Sequence, residues 1–535
     1  MSRQLLRPFE EYQKARISFV QSIADLASKP QNIEALKSAG VMGLLRPLLL
    51  DSVPSIKQSA ALAIGRLANY SEELAESVVT HKIIPQIKES LLTPNHFFKK
   101  AACYVFKSVA RHSAKLAEDV VTNGALEPLV QCLDEFDTTV KEAAAWALGY
   151  IAKHSPELAH QVVEAKAVDS LILCLQEPEI LLKRASALTL SYICQHSEQL
   201  ASPVAENGLD TIIFFLSYND TQLKRNICQL LGNITKHSPE LANQVINKIS
   251  NPQKLLNCLK DNDDIVKKNA AFCICEIVNK SPENAQVICD AGGPGIIVDF
   301  ITNIKGESRL YGILSLGFIS SFKADLAMNV IQAKAINQLR DALQNEPNPQ
   351  LKAAACYALG HIGRHSTKHS KEVSDANVLS LMLYYYKDVK STEYLKEKAK
   401  ASLEKIIDSC SNLSALEPLL QVSPDNILKH ILTHYMKYLK TNNHELRHFV
   451  QNGGLQQLQD LKFSETVKTS LINAHLVQLI STINSYYPDE IVKYYTPEGA
   501  NQEVLNLGGN KEDNEDNEEQ EMNEQIDKFE ENLEQ

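Results

Sequence analysis

The sequence predicts an all-α solenoid of about ten stacked repeats, and three observations carry that prediction. A segment of about 42 residues recurs along the chain, each copy places apolar residues at helical spacing, and 20 Gly with 20 Pro in 535 residues leave room only for short corners. A chain this long exceeds what one compact core organises, so the choice lies between several globular domains and one elongated array. The recurrence selects the array.

The best-defined copy is AAAWALGYIAKHSPELAHQVV, Ala143 to Val163. Aligned on Gly149, its equivalents are Ala24, Gly65, Lys107, Ser191, Gly232, Cys275, Gly317, Gly360 and Glu404, with steps of 41 to 44 residues. Armadillo and HEAT-like helical repeats have periods of about 40 to 47 residues. Within the copy, Ala144, Ala145, Leu148, Ile151 and Ala152 fall on one face of a helix, and their small size lets neighbouring helices approach closely. Ser155-Pro156-Glu157, repeated at Ser238 and Ser281, starts a new helix: Ser caps, Pro suits the first turn and Glu complements the dipole. Breaks at Asn123-Gly124 and Asn207-Gly208 end it, a second apolar run such as Leu126 to Leu133 follows, and a polar corner such as Asp261 to Asp264 leads back to the long helix. Three helices per copy favour armadillo over two-helix HEAT units. A single copy cannot bury its own apolar face, so the expected product is a superhelical rod with an extended groove.

Residues 1–425 are expected to form this solenoid. After Glu404 the beat fades, and residues 426–505, with helical periodicity in Asn426 to Leu439, Gly453 to Leu461 and Ser470 to Ile483, read as an irregular helical cap. Residues 506–535 form an acidic tail too poor in apolar side chains to order itself: Lys511 to Gln535 holds twelve acids against two lysines. That tail accounts for most of the net charge of -11, so the remaining body is near neutral and a nucleic-acid-binding surface is not expected. Eleven cysteines lack zinc-like spacing and sit in apolar stretches, as Cys132, Cys174 and Cys258 do, which points to reduced core thiols. Neither a signal core nor an apolar run of about 18 residues is present, so a soluble, reducing compartment without membrane contact is expected.

Nucleotide-binding and hydrolytic motifs are absent, which predicts a protein that is not an enzyme and needs no cofactor. Gly292-Gly293-Pro294-Gly295 falls at a helix break with no strand before it, so phosphate cradling is not expected there. His112, His154, His196, His237 and His365 share one repeat position at the end of the long helix. Consecutive repeats lie on the order of 10 Å apart, too far for shared metal ligation at about 2 Å, so these side chains are expected to bond nearby helix-end carbonyls.

Two sets of residues are candidates for partner binding. Eight positions before the aligned Gly, all ten copies carry a cation: Arg16, Lys57, Lys99, Lys141, Lys183, Lys224, Lys267, Arg309, Lys352 and Lys396. Cations near a helix N-terminus oppose the dipole, so local helix energetics do not explain them. Either their stems cover apolar surface while the heads reach water, or they form a row of charge for an acidic partner. A second wall, three before and one after the aligned Gly, carries Tyr104, Trp146, Tyr150, Tyr192, Asn233, Phe272, Phe318, Tyr357 and His361. Nuclear-import armadillo adaptors hold a regular Trp and Asn array there, which one Trp and Tyr150 do not reproduce. Recognition of a protein segment and packing between repeats both fit this wall.

Several stretches go beyond generic repeats: FEEYQKARISFVQ from Phe9, KPQNIEALKSAGVMGLLRPLLLD from Lys29, AALAIGRLANY from Ala60, VKEAAAWALGYIAKHSPELA from Val140 and YYPDEIVKYYTP from Tyr486. From about Arg3 to Thr496 the chain resembles the sperm-associated antigen six family, armadillo proteins of the ciliary and flagellar central pair. The resemblance implies a cytoskeletal component of the axoneme that binds a central-pair microtubule, neighbouring central-apparatus proteins and copies of itself, in support of motility. Tubulin's acidic tails would then be a target for the cationic row. The alternative is a soluble armadillo adaptor for linear peptide segments of cargo or signalling partners.

Overall fold

The computed structural model describes residues 3–463 and 471–496. The expected acidic tail, residues 506–535, lies outside the described residues. Those described form helices and no strand, and their contacts divide the chain into two units, Met1–Asn284 and Ala285–Gln535.

The N-terminal unit starts with the long helix Arg3–Leu26 and continues in three-helix repeats. Pro156–Glu164, Ala167–Gln176 and Ile180–Cys194 are a representative set. Ser155 Oγ accepts from the Leu158 amide at 3.2 Å and Ser238 Oγ from that of Leu241 at 3.4 Å, so the predicted caps form; each contributes about 0.5–2 kcal/mol. The long helices are capped by acids or amides, as when Asp137 accepts from the Thr139 amide at 2.8 Å. Between first and second helices the chain passes through left-handed backbone at Gly40, Gly124 and Gly292, but also at Lys82, Lys166, Lys334 and Asn377. The non-glycine residues accept a cost of roughly 1–2 kcal/mol each for that conformation. The break expected at Asn207-Gly208 does not occur. Glu198–Phe214 runs through it as one helix, and the missing side chain of Gly208 instead makes room for Ile172, whose Cδ1 would stand 3.0 Å from an added Cβ.

The long helices make the spine of each unit. Thr138–His154 packs against His96–Ala110 on one side and Ile180–Cys194 on the other, and Ala144, Ala145, Leu148, Ile151 and Ala152 are fully buried there, as the periodicity requires. In the C-terminal unit Pro349–Gly363 packs between Leu310–Phe322 and Glu393–Asp408. The three periodic stretches after Glu404 are helices, at Asp425–Thr441, Gly454–Phe463 and Leu471–Asn484. They keep the repeat's order: Asn443–Gln451 precedes a left-handed Gly453 at φ +80°, then comes Gly454–Phe463, then Leu471–Asn484. The beat fades in sequence but persists in backbone, because burial of Ile427, Ile431, Tyr435 and Leu439 needs only helical periodicity. All eleven cysteines are free and buried.

Candidate functional site

The ladder cations turn inward. Each long helix after Arg3–Leu26 carries its ladder residue near its N-terminus, opposite the end of the next repeat's second helix. Where an acid stands at that corner the two pair. Arg16 meets Asp51 at 2.6 Å, Lys141 meets Glu177 at 2.8 Å, Lys224 meets Asp261 at 2.8 Å, Arg309 meets Glu346 at 2.7 Å, and Lys99 bonds Glu135. At Lys183 the corner residue is Tyr218, and the ammonium donates to the Leu175 carbonyl at 2.8 Å and lies 4.8 Å over the Phe215 ring. At Lys267 the corner is Ile304 and the partner is Asp264 in the same helix, 2.7 Å away. Lys352 donates to the Tyr385 hydroxyl at 2.7 Å, and Lys396 pairs with Glu393 at 2.9 Å. Lys57, whose corner residue is Leu92, is half-buried with no ion pair among the described residues. These contacts neutralise most of the row and tie consecutive repeats together, a role neither alternative drawn from sequence contained. An acid 35 to 37 residues after the cation was the available signal. A second set of clamps lies one residue further along: Arg184 forks onto Asp220 at 3.0 and 2.5 Å, and Arg225 onto Asp263. Asp263 is held down at about 2, chiefly by its Arg225 bond.

The histidines likewise join repeats. Nε2 of His112, His154, His196 and His237 bonds the carbonyls of Ala68, Ala110, Ala152 and Cys194 at 2.7 to 2.8 Å, each at the end of the preceding long helix. In the C-terminal unit His365 bonds Ser320 at 2.6 Å. The sequence located the bond correctly at helix-end carbonyls; the structure places those carbonyls in the previous repeat. Burial lowers the pKa of His154, His237 and His365 from the usual 6.5. Above that value the rings are neutral whether the chain is folded or not. As pH falls through it, the unfolded chain binds protons that the folded chain refuses, so stability drops. Half-buried Glu276 and buried Glu417, whose pKa values are raised by desolvation, act in the opposite sense. The check is therefore comparative: between pH 7.5 and 5.5 the urea midpoint of the parent should fall more than that of H154Q/H237Q, and equal falls would refute this role.

The aromatic wall splits by position. Tyr104, Phe272 and Tyr357 press on Gly65, Gly232 and Gly317 of the preceding repeat, where an added Cβ would stand 2.4 to 2.8 Å from the ring. Asn233 is buried and donates to the carbonyl and hydroxyl of Ser191, both at 3.0 Å. These four are packing residues. Trp146, Tyr150 and Tyr192 remain half-exposed. Trp146 and Tyr150 stack with centroids 6.0 Å apart, Lys107 lies 4.9 Å over Trp146, and exposed Lys153 lies 6.0 Å from Tyr150 and 5.7 Å from Tyr192. Partial burial lowers the Lys107 pKa. Beside Trp146 an open groove of about 500 Å³ is bounded by Leu62 and Arg66, Phe97, Lys100 and Tyr104, and Glu142. Phe97 is 55% exposed there. Aromatic faces, fixed cations and an apolar floor can hold an extended protein segment. No group of His, Cys, Asp and Glu that could hold a metal occurs among the described residues, and no helix described is long and apolar enough to cross a membrane.

Comparison with known proteins agrees with this architecture. The model of the armadillo/beta-catenin-like repeat matches residues 113–153, about one period. Sperm-associated antigen 6 of Mus musculus and that of Homo sapiens are each 47% identical over 495 residues, which is 92% of this chain and 96% of theirs. The crystal structure of an engineered protein superposes with a TM-score of 0.69 at 22% identity, over 73% of this chain and 94% of that one, a likeness of fold.

Proposed function

The chain belongs to the sperm-associated antigen 6 family, and from that premise we propose that it is a non-catalytic scaffold of the axonemal central apparatus, binding a central-pair microtubule and neighbouring proteins to support ciliary motility. The observation that carries this reading is identity over 92% of the chain and 96% of the relative, rather than over a single repeat. In this reading residues 1–425 are the rod, residues 426–505 its end and residues 506–535 an acidic extension. Partners meet the half-exposed Trp146, Tyr150 and Tyr192 with Lys153. Of the ladder, Lys57 remains for such contact, while Lys99, Lys141, Lys183, Lys224, Lys267 and Lys352 serve chiefly inside the chain.

The groove beside Trp146 favours one other reading, an armadillo adaptor that takes linear peptides and moves freely in the cytoplasm. Detergent extraction separates the two. A tagged chain acting as a scaffold stays with the microtubules when the ciliary membrane is dissolved, and W146A/Y150A/Y192A should lower the retained fraction severalfold. Complete release of the parent chain would refute the scaffold.

A further inference from the structure

In the C-terminal unit a group of basic side chains gathers without a carboxylate. The long helix Pro349–Gly363 carries His361, Arg364 follows at its C-terminal end, and the next long helix, Glu393–Asp408, supplies Lys398 and Lys405. Lys405 Nζ lies 3.2 Å from His361 Nε2, and the His361 ring centroid stands 4.4 Å from that of Tyr357. Lys398 lies 5.3 Å over the Tyr394 ring, and Arg364 donates to the Ser321 carbonyl. Burial first, then the charges of Lys405, Arg364, His365 and Lys398, hold His361 down at about 3. Lys405 is itself lowered, by burial and then by Arg364 and Lys398.

Five of the ladder cations are answered by corner acids, as in Lys141–Glu177 and Arg309–Glu346. Here, among the described residues, neither Arg364, Lys398 nor Lys405 forms a salt bridge. A further donor is unanswered. Lys405 has only protons to give, so His361 Nε2 accepts and the neutral ring carries its hydrogen on Nδ1. His361 is 8% exposed and its Nδ1 has no hydrogen-bond partner. Buried donors are nearly always paired, and like charges are not normally gathered without compensation. The gathered positive charge is of the kind that an incoming acceptor of negative charge compensates.

We propose that Arg364, Lys398 and Lys405, backed by His361, form a recognition site for a carboxylate-rich peptide segment of a partner protein. Arg364 is exposed and offers a planar fork for one carboxylate, while the half-buried lysines supply point charge for its neighbours. A single-stranded nucleic acid is disfavoured. His361 is engaged with Tyr357 and Tyr357 with Phe318 at 5.7 Å, and Tyr394 carries Lys398 over one face, which leaves no row of open rings of the kind such a ligand stacks on. The site does not depend on the axonemal reading.

The test is fluorescence anisotropy with the full-length chain and a labelled hexaglutamate peptide, against hexaglutamine and a short oligothymidylate. Hexaglutamate should bind at low salt, weaken at least tenfold between 50 and 300 mM NaCl, and lose at least tenfold in R364Q/K398Q. K115Q, at an exposed lysine of the short helix Ala114–Thr122, should bind as the parent does, and circular dichroism should show all variants helical. Binding of hexaglutamate no better than hexaglutamine would overturn the proposal. So would an equal loss in K115Q, or tighter binding of the oligothymidylate.

Discussion

Replacing Arg309 by Leu is expected to destabilise the C-terminal unit by about 3–5 kcal/mol, the cost of leaving one member of a buried ion pair without the other. Arg309 is 4% exposed and its partner Glu346 is 7% exposed. The guanidinium reaches Glu346 at 2.7 Å and Asp341 at 3.3 Å, joining the start of the helix Leu310–Phe322 to the end of Ala335–Asn345 in the next repeat. Asp341 remains half in water and can be left alone cheaply. Glu346 cannot, because a carboxylate in that interface has no other cation. The double variant R309L/E346L should therefore recover most of the loss, since two apolar side chains of similar length replace the pair without leaving a charge behind. Urea midpoints followed by circular dichroism measure both. A single variant within about 1 kcal/mol of the parent would contradict the clamp.

Phe106→Ala should cost a similar amount, about 3–5 kcal/mol, through lost transfer energy and the cavity left behind. Phe106 is fully buried in His96–Ala110, the long helix flanked by Pro54–Tyr70 and Thr138–His154. A repeat array transmits such damage chiefly to nearest neighbours. Hydrogen exchange should accordingly accelerate most in those three helices. Phe97→Ala, nine residues away but 55% exposed, is the control and should change stability by less than about 0.5 kcal/mol. Comparable costs for the two would mean that the long helices do not form the spine.

The sequence made the repeat legible because burial repeats with the helices. Ala144, Leu148 and Ile151 are apolar for the same reason that they are buried, and Ser155-Pro156-Glu157 states the cap in the side chains that make it. The exchange of partners between repeats was harder to read. Lys141 and Glu177 stand 36 residues apart, and their meeting depends on how one repeat stacks on the next, which no local pattern encodes. The wall shows the same limit. Tyr104 and Trp146 occupy equivalent positions and both line the groove, yet one presses on Gly65 while the other takes Lys107 over its face. The residue one repeat earlier decides the outcome. The uncompensated cluster at His361 was legible only in part, since its members are 44 residues apart and their significance lies in the acid that is missing.

Electron microscopy of axoneme cross-sections, with a gold label on a tagged chain after detergent extraction, tests the scaffold most directly. The account predicts label over the central pair of microtubules, reduced in the W146A/Y150A/Y192A variant. Label lost with the soluble fraction, or confined to the outer doublets, would contradict it.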